Sequence, residues 1–146
     1  EYNHYVADIS RTWPVGKKFS PRAREIYEAV YAAQEAAFKE CKPGSTLNRV
    51  HAAAQAVIAK RGLGMMLHGT SHWLGMSTHD VGAGGVAFEP GMAFTVEPGV
   101  YLPKENLGVR IEDVVVITEN GHEVISKMIP RSIDEIEAMR AKIGRE

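Results

Sequence analysis

From Ile26 the apolar residues return at steps of three and four: Ile26, Val30, Ala33, Ala37, Cys41. That stripe predicts an amphipathic helix. Ser20-Pro21 starts it, a hydroxyl cap followed by proline at the first helical position, and Pro43-Gly44 closes it. A second helix is predicted from Ser45 or Thr46, with Leu47, Val50, Ala54, Val57 and Ile58 as its stripe and Gly62 as its C-terminal cap. Residues 1–13 alternate in parity and read as an extended strand, ended by a turn at Pro14 and Gly16. Between Gly62 and Gly91 glycine recurs too often for a long helix to persist. Short β segments follow over 93–96, 109–117 and 123–127, the last two separated by a hairpin turn at Glu119-Asn120-Gly121. Ser132-Ile-Asp-Glu135 is a capping box that opens a final helix, whose apolar residues are Ile133, Ile136, Met139 and Ile143. The strands cluster instead of alternating with helices, which favours an α+β fold with a mainly antiparallel sheet and covering helices.

Composition narrows the class. The 146 residues are 45% hydrophobic and 24% charged, the make-up of one compact domain and not of a disordered tail, a collagen repeat or a coiled coil. Seventeen Lys+Arg against 18 Asp+Glu leave a net charge of -1, so no nucleic-acid partner is expected. One cysteine, Cys41, excludes an internal disulfide framework and a multi-Cys zinc site. Its place on the first apolar stripe reads as a small buried core residue. No apolar run approaches the ~18 residues needed to span a bilayer, and the N-terminal residues do not follow a signal-peptide pattern. No membrane partner and a cytoplasmic setting are therefore expected.

The candidate chemistry lies in histidines and acids. His68, His72 and His79 fall close together, while His122 is expected in a solvated turn. Asp8 lies in the first strand, Glu97 in Thr-Val-Glu-Pro-Gly and Glu112 in Arg-Ile-Glu-Asp. Imidazole and carboxylate ligands suit manganese, cobalt, iron or zinc. The His68-x-x-x-His72 spacing is not that of the zincin H-E-x-x-H, because position 69 is glycine and its neighbours disfavour a helix. Period two places Arg110 and Glu112 on one strand face. Spacing alone leaves open whether these two form a surface ion pair or part of a metal site.

Four ordered segments carry a resemblance. They are Asp8-Ile-Ser-Arg-Thr12 followed by Pro14-Val-Gly, His68-Gly-Thr-Ser-His72-Trp-Leu-Gly-Met-Ser-Thr-His79-Asp-Val-Gly, Thr95-Val-Glu97-Pro-Gly, and Val109-Arg110-Ile-Glu112-Asp113. Together they resemble the catalytic half of the Xaa-Pro aminopeptidases (aminopeptidase P) and prolidases, from about Tyr5 to Met139. The resemblance implies a pita-bread fold and two divalent metal ions, manganese first, with cobalt, zinc or iron as alternatives. It implies that Asp8, His72, Glu97 and Glu112 are metal ligands, with Asp8 and Glu112 serving both ions. Glu97 would also shuttle a proton, His68 and His79 would contact the substrate carbonyl, and Arg110 would orient substrate and the Glu112 carboxylate. The implied reaction releases the N-terminal residue from peptides with proline second, through a metal-bridging hydroxide. A prolidase-type dipeptidase and a non-catalytic binding module on the same fold are the alternatives. A further Asp ligand of the family would fall upstream of Glu1. Residues 1–146 are therefore expected to be the C-terminal part of the catalytic domain, impaired alone, and to associate with the missing N-terminal portion or with another copy. Proline-containing peptides are the implied substrates. Ser10 stands where threonine is common in the family.

Overall fold

The computed structural model describes residues 1–143. α1 (Pro21–Phe38) begins where Ser20 Oγ accepts the Ala23 N–H, and α2 (Leu47–Lys60) where Thr46 Oγ1 accepts that of Arg49. Each cap satisfies a donor that the first helical turn leaves free. α2 ends at Arg61, and Gly62 follows at φ +70°, a left-handed conformation that costs a glycine little. The two helices pack on each other, burying Ile26, Tyr27, Val30, Ala33, Ala37, Val50, Ala54 and Ile58.

Five strands follow: β1 (Ala93–Val96), β2 (Gly99–Leu102), β3 (Leu107–Arg110), β4 (Asp113–Thr118) and β5 (Gly121–Val124). They form two antiparallel sheets, one ordered β1-β4-β5 and the other pairing β2 with β3. A single 3₁₀ turn, Pro103–Glu105, links β2 to β3. α3 (Ile133–Ile143) closes the order, and its capping box forms as expected: the Ser132 N–H donates to Glu135 Oε2 at 2.9 Å and the Glu135 N–H returns to Ser132 Oγ at 3.3 Å. Phe88, Phe94, Val96, Val109, Ile111, Val115 and Ile117 join the helical residues in one core. Among the described residues, no helix is long and apolar enough to cross a membrane.

Four local expectations are corrected. Residues 1–13 form no strand. Tyr2 and Tyr5 close a tight turn through Asn3 and His4, both at positive φ, and further along only the bridge Ser10↔Glu112 has ladder geometry. The stretch 109–117 is two strands in different sheets. Between them Gln34 Nε2 donates to Val96 O at 3.0 Å, Ile111 O at 3.3 Å and Asp113 Oδ2 at 2.9 Å. A side chain from α1 thus takes backbone acceptors that a continuous ladder would have used. The last strand lies at 121–124 instead of 123–127, because the chain turns at Ser126 as its hydroxyl reaches inward to Asp113. His122 is not in a solvated turn: it sits on β5, its Nδ1–H donates to Cys41 O at 2.8 Å, and its ring stacks on Phe38.

Candidate metal centre

His72 lies on a loop laid along the edge of β1. The Thr95 N–H donates to His72 O at 3.0 Å, the His72 N–H to Thr95 Oγ1 at 3.2 Å, and the Glu97 N–H to Thr70 O at 2.7 Å. These bonds set His72 beside Glu97. His72 Nδ1 is 3.0 Å from Trp73 O. A carbonyl only accepts, so Nδ1 carries a proton, and Nε2, the nitrogen free to ligate a cation, faces the acids.

Three carboxylates surround that nitrogen. Glu97 Oε1 is 3.2 Å from His72 Nε2, Asp8 Oδ2 3.6 Å and Glu112 Oε1 3.9 Å. Asp8, His72 and Glu112 each place one ligand atom within 4.8 Å of the other two. Glu97 joins this trio through His72 and also accepts from Thr95 Oγ1 at 3.2 Å. Residues far apart in the chain thus converge on one locus. Three acids packed together repel one another, and Glu112 is only 2% exposed. Its carboxyl is pushed above the usual carboxylate range, first by burial and also by Glu97 and Asp8, against the opposing pull of the Ser10 hydrogen bond and of Arg110. A divalent cation relieves that repulsion, and oxygen donors with one imidazole are the set that such cations take. The residues fit the group.

The remaining sequence-predicted residues surround this locus. The His79 ring lies 4.2 Å from that of His72, tilted 41° against it, and is exposed. His68 Nδ1–H donates to Gly69 O at 2.8 Å, and its Nε2 lies 2.8 Å from the Tyr101 hydroxyl. As a neutral ring it therefore has both nitrogens engaged. Arg110 does not share a strand face with Glu112, because β3 ends at Arg110. It reaches Glu112 through Ser10: Arg110 Nε donates to Ser10 Oγ at 3.1 Å, and Ser10 Oγ donates to Glu112 Oε2 at 2.6 Å. Partial burial pulls the Arg110 guanidinium down, but Tyr101, Glu112 and Glu97 together raise it above its ordinary value.

Ser10 and Tyr101 escaped the sequence reading as site residues. Ser10 has one signal, its place two residues after Asp8 in the quoted motif. Tyr101 has none, since its approach to His68 depends on the β2–β3 hairpin. A third feature was also missed. Arg11 and Asp113, 5% and 0% exposed in their side chains, pair at 2.7 Å directly behind the centre. Arg11 Nη1 also donates to Ser10 O at 2.9 Å and Glu112 O at 2.7 Å, so it staples the two segments that carry Asp8 and Glu112.

Comparison with known proteins identifies the family. The profile of metallopeptidase family M24 matches residues 1–119. Xaa-Pro aminopeptidase 2 of Streptomyces coelicolor is 40% identical over 174 aligned positions, covering 96% of this chain and 37% of the relative. The Escherichia coli Xaa-Pro aminopeptidase is 35% identical, covering 95% of this chain and 38% of the relative. Among solved structures, aminopeptidase PepP of Pseudomonas aeruginosa superposes with a TM-score of 0.89 at 39% identity, over 100% of this chain and 40% of that one. Escherichia coli aminopeptidase P gives 0.93 at 33% identity, over the same shares. The chain thus spans well under half the length of these relatives, and the fold is the α+β pita-bread fold of aminopeptidase P. With a family-model match over residues 1–119, most of its length, the chain belongs to metallopeptidase family M24.

Proposed function

We propose that the protein containing this chain hydrolyses Xaa-Pro peptide bonds, releasing the N-terminal residue from peptides with proline second. The observation that carries the reading is the convergence of Asp8, Glu97 and Glu112 on Nε2 of His72. Two divalent ions, manganese by preference, would be held by Asp8, His72, Glu97 and Glu112, with Asp8 and Glu112 serving both. When bound, they supply an acidified water and polarise the scissile carbonyl.

The chain's own residues do the rest. Glu97 takes a proton from the attacking water and returns it to the prolyl nitrogen as the bond breaks. An amide nitrogen leaves as a neutral amine and not as an anion, so protonation is what lets it leave. His79, exposed beside His72, donates to the oxygen on which negative charge develops. His68 contacts substrate by exchanging its Tyr101 hydrogen bond for it, and Arg110 holds substrate by charge. A cytoplasmic setting, and association with another copy or with an N-terminal portion of the same protein, complete the proposal.

The test uses the natural protein containing this chain. Loaded with manganese, it is expected to release the first residue from peptides with proline second and to spare those with alanine there. Equal cleavage of both, or of neither, overturns the reading. Glu112→Gln is expected to lower metal content by elemental analysis with the fold intact, and a fully loaded, fully active variant removes Glu112 from the ligand set. His79→Ala is expected to keep its metal and lose about 100-fold in kcat/KM, the scale of one lost oxyanion donor.

A further inference from the structure

Ser10 occupies a position that the roles above do not use. It sits between two charged groups, and its hydroxyl mediates the contact between them. Ser10 Oγ donates to Glu112 Oε2 at 2.6 Å and accepts from Arg110 Nε at 3.1 Å. No direct ion pair joins Arg110 to Glu112 among the described residues. A hydroxyl has one proton and two lone pairs, so accepting from the guanidinium commits its proton to the carboxylate. The Ser10 backbone is fixed as well. It bridges Glu112 on both sides, through Ser10 N–H to Glu112 O at 3.4 Å and Glu112 N–H to Ser10 O at 3.0 Å, and Arg11 clamps both carbonyls from behind. The hydroxyl therefore cannot drift from the carboxylate. Nearby, Thr12 Oγ1 accepts the Arg110 N–H at 3.0 Å and donates to Arg110 O at 2.9 Å, which holds the guanidinium's own backbone in register.

We propose that Ser10 is a positioning residue: its hydroxyl turns the Glu112 carboxylate so that Oε1 faces the locus of Asp8 and His72, and couples that orientation to Arg110. The proposal rests on reading that locus as a metal centre. A carboxylate inside a cluster of acids gains by rotating away from its neighbours when no cation is bound. A short bond to Oε2 opposes that rotation and keeps the ligand set assembled. Removing such a bond lowers metal affinity without removing a ligand.

The experiment compares Ser10→Ala, Ser10→Val and Ser10→Thr in the natural protein. Valine and threonine have nearly the same shape and differ in the hydroxyl, so that pair isolates the hydrogen bond even if alanine impairs folding. Binding of manganese alone is measured by calorimetry on metal-stripped protein, with no substrate present. Ser10→Ala and Ser10→Val are expected to weaken the metal Kd by about 10–100-fold, and Ser10→Thr to stay close to the parent. At saturating manganese, kcat is expected to fall in the hydroxyl-free variants by a larger factor than KM rises, because the hydroxyl acts first through Glu112 and reaches substrate only by way of Arg110. Parent protein that binds no divalent cation overturns the metal reading itself. Parent protein that binds manganese, with Ser10→Val binding as tightly as Ser10→Thr, overturns the role of Ser10 alone.

Discussion

Asp113→Ala removes the carboxylate opposite Arg11 and leaves a guanidinium that is 5% exposed without its counter-charge. Three donors lose an acceptor: Arg11 Nη2 at 2.7 Å, Gln34 Nε2 at 2.9 Å and Ser126 Oγ at 2.5 Å. Breaking a buried pair from one side costs about 3–5 kcal/mol, mostly because the surviving charge stays desolvated. The structure places the cost at the low end of that range. Arg11 retains the carbonyls of Ser10, Glu112, Ile129 and Pro130, and Gln34 retains those of Val96 and Ile111. These dipoles solvate the cation in part without neutralising it. The expected loss is about 3 kcal/mol, or on the order of 10 °C in Tm. Urea melts in EDTA are the appropriate assay, because bound metal would add its own linkage to the apparent stability. The double variant Arg11→Met with Asp113→Leu is expected to recover more than half of the loss, since no charge then remains buried. A cost below about 1 kcal/mol for Asp113→Ala, or a double variant worse than both singles, would refute the reasoning.

Four further outcomes are expected. Burial pushes the Cys41 thiol up to about 12, so at pH 8 roughly one molecule in ten thousand carries the thiolate; native protein should resist Ellman's reagent and denatured protein react at once, whereas rapid native labelling would contradict it. Ser132→Ala removes the hydroxyl half of the α3 cap and should cost about 1 kcal/mol in urea melts at pH 7. Glu135 in that cap is held below its usual range by hydrogen bonds from the Ser132 and Arg131 backbones and the Ser132 hydroxyl; because a lowered carboxylate stabilises only while ionised, the cost of Glu135→Gln should shrink as pH falls through that lowered value, and a cost that grows towards pH 3 would be the wrong sign. Gly99→Ala would place a Cβ 2.6 Å from the Tyr101 hydroxyl and 2.9 Å from His68 Nε2, so it should break their hydrogen bond and slow peptide cleavage while leaving the melting curve nearly unchanged; an unaltered rate would show that the pair is not used.

The helices were legible because their signals are local. Ser20-Pro21, Thr46, Gly62 and the Ser132–Glu135 box are caps whose partners lie within one helical turn. The break between β3 and β4 was not legible, because it is set by Gln34, 77 residues from Ile111 and 79 from Asp113. Periodicity joined residues that a side chain from another element keeps apart. The same limit applied at the centre. Residue types and spacing alone could not separate a surface ion pair from a metal site at Arg110 and Glu112; the motif resemblance pointed to the acids and histidines that the fold gathers. It did not point to Ser10 as the link between Arg110 and Glu112, nor to Tyr101 as the partner of His68.

The bridge between Ser10 and Glu112 joins residues separated by 102 positions. That closure has a kinetic consequence. The segment bearing Asp8 has no strand of its own, and it is held by contacts with Glu112 and with Gly75 of the His72 loop, which the rest of the fold brings together. Its docking is therefore expected late, when the stretch leading to Pro21 is what remains to be ordered. Until it docks, the centre lacks one carboxylate and the repulsion among the others is smaller. The last step of assembly thus creates both the crowding of negative charge and the cradle that a cation would fill, so an ion arriving then would act as a latch on a nearly finished fold and slow its reopening.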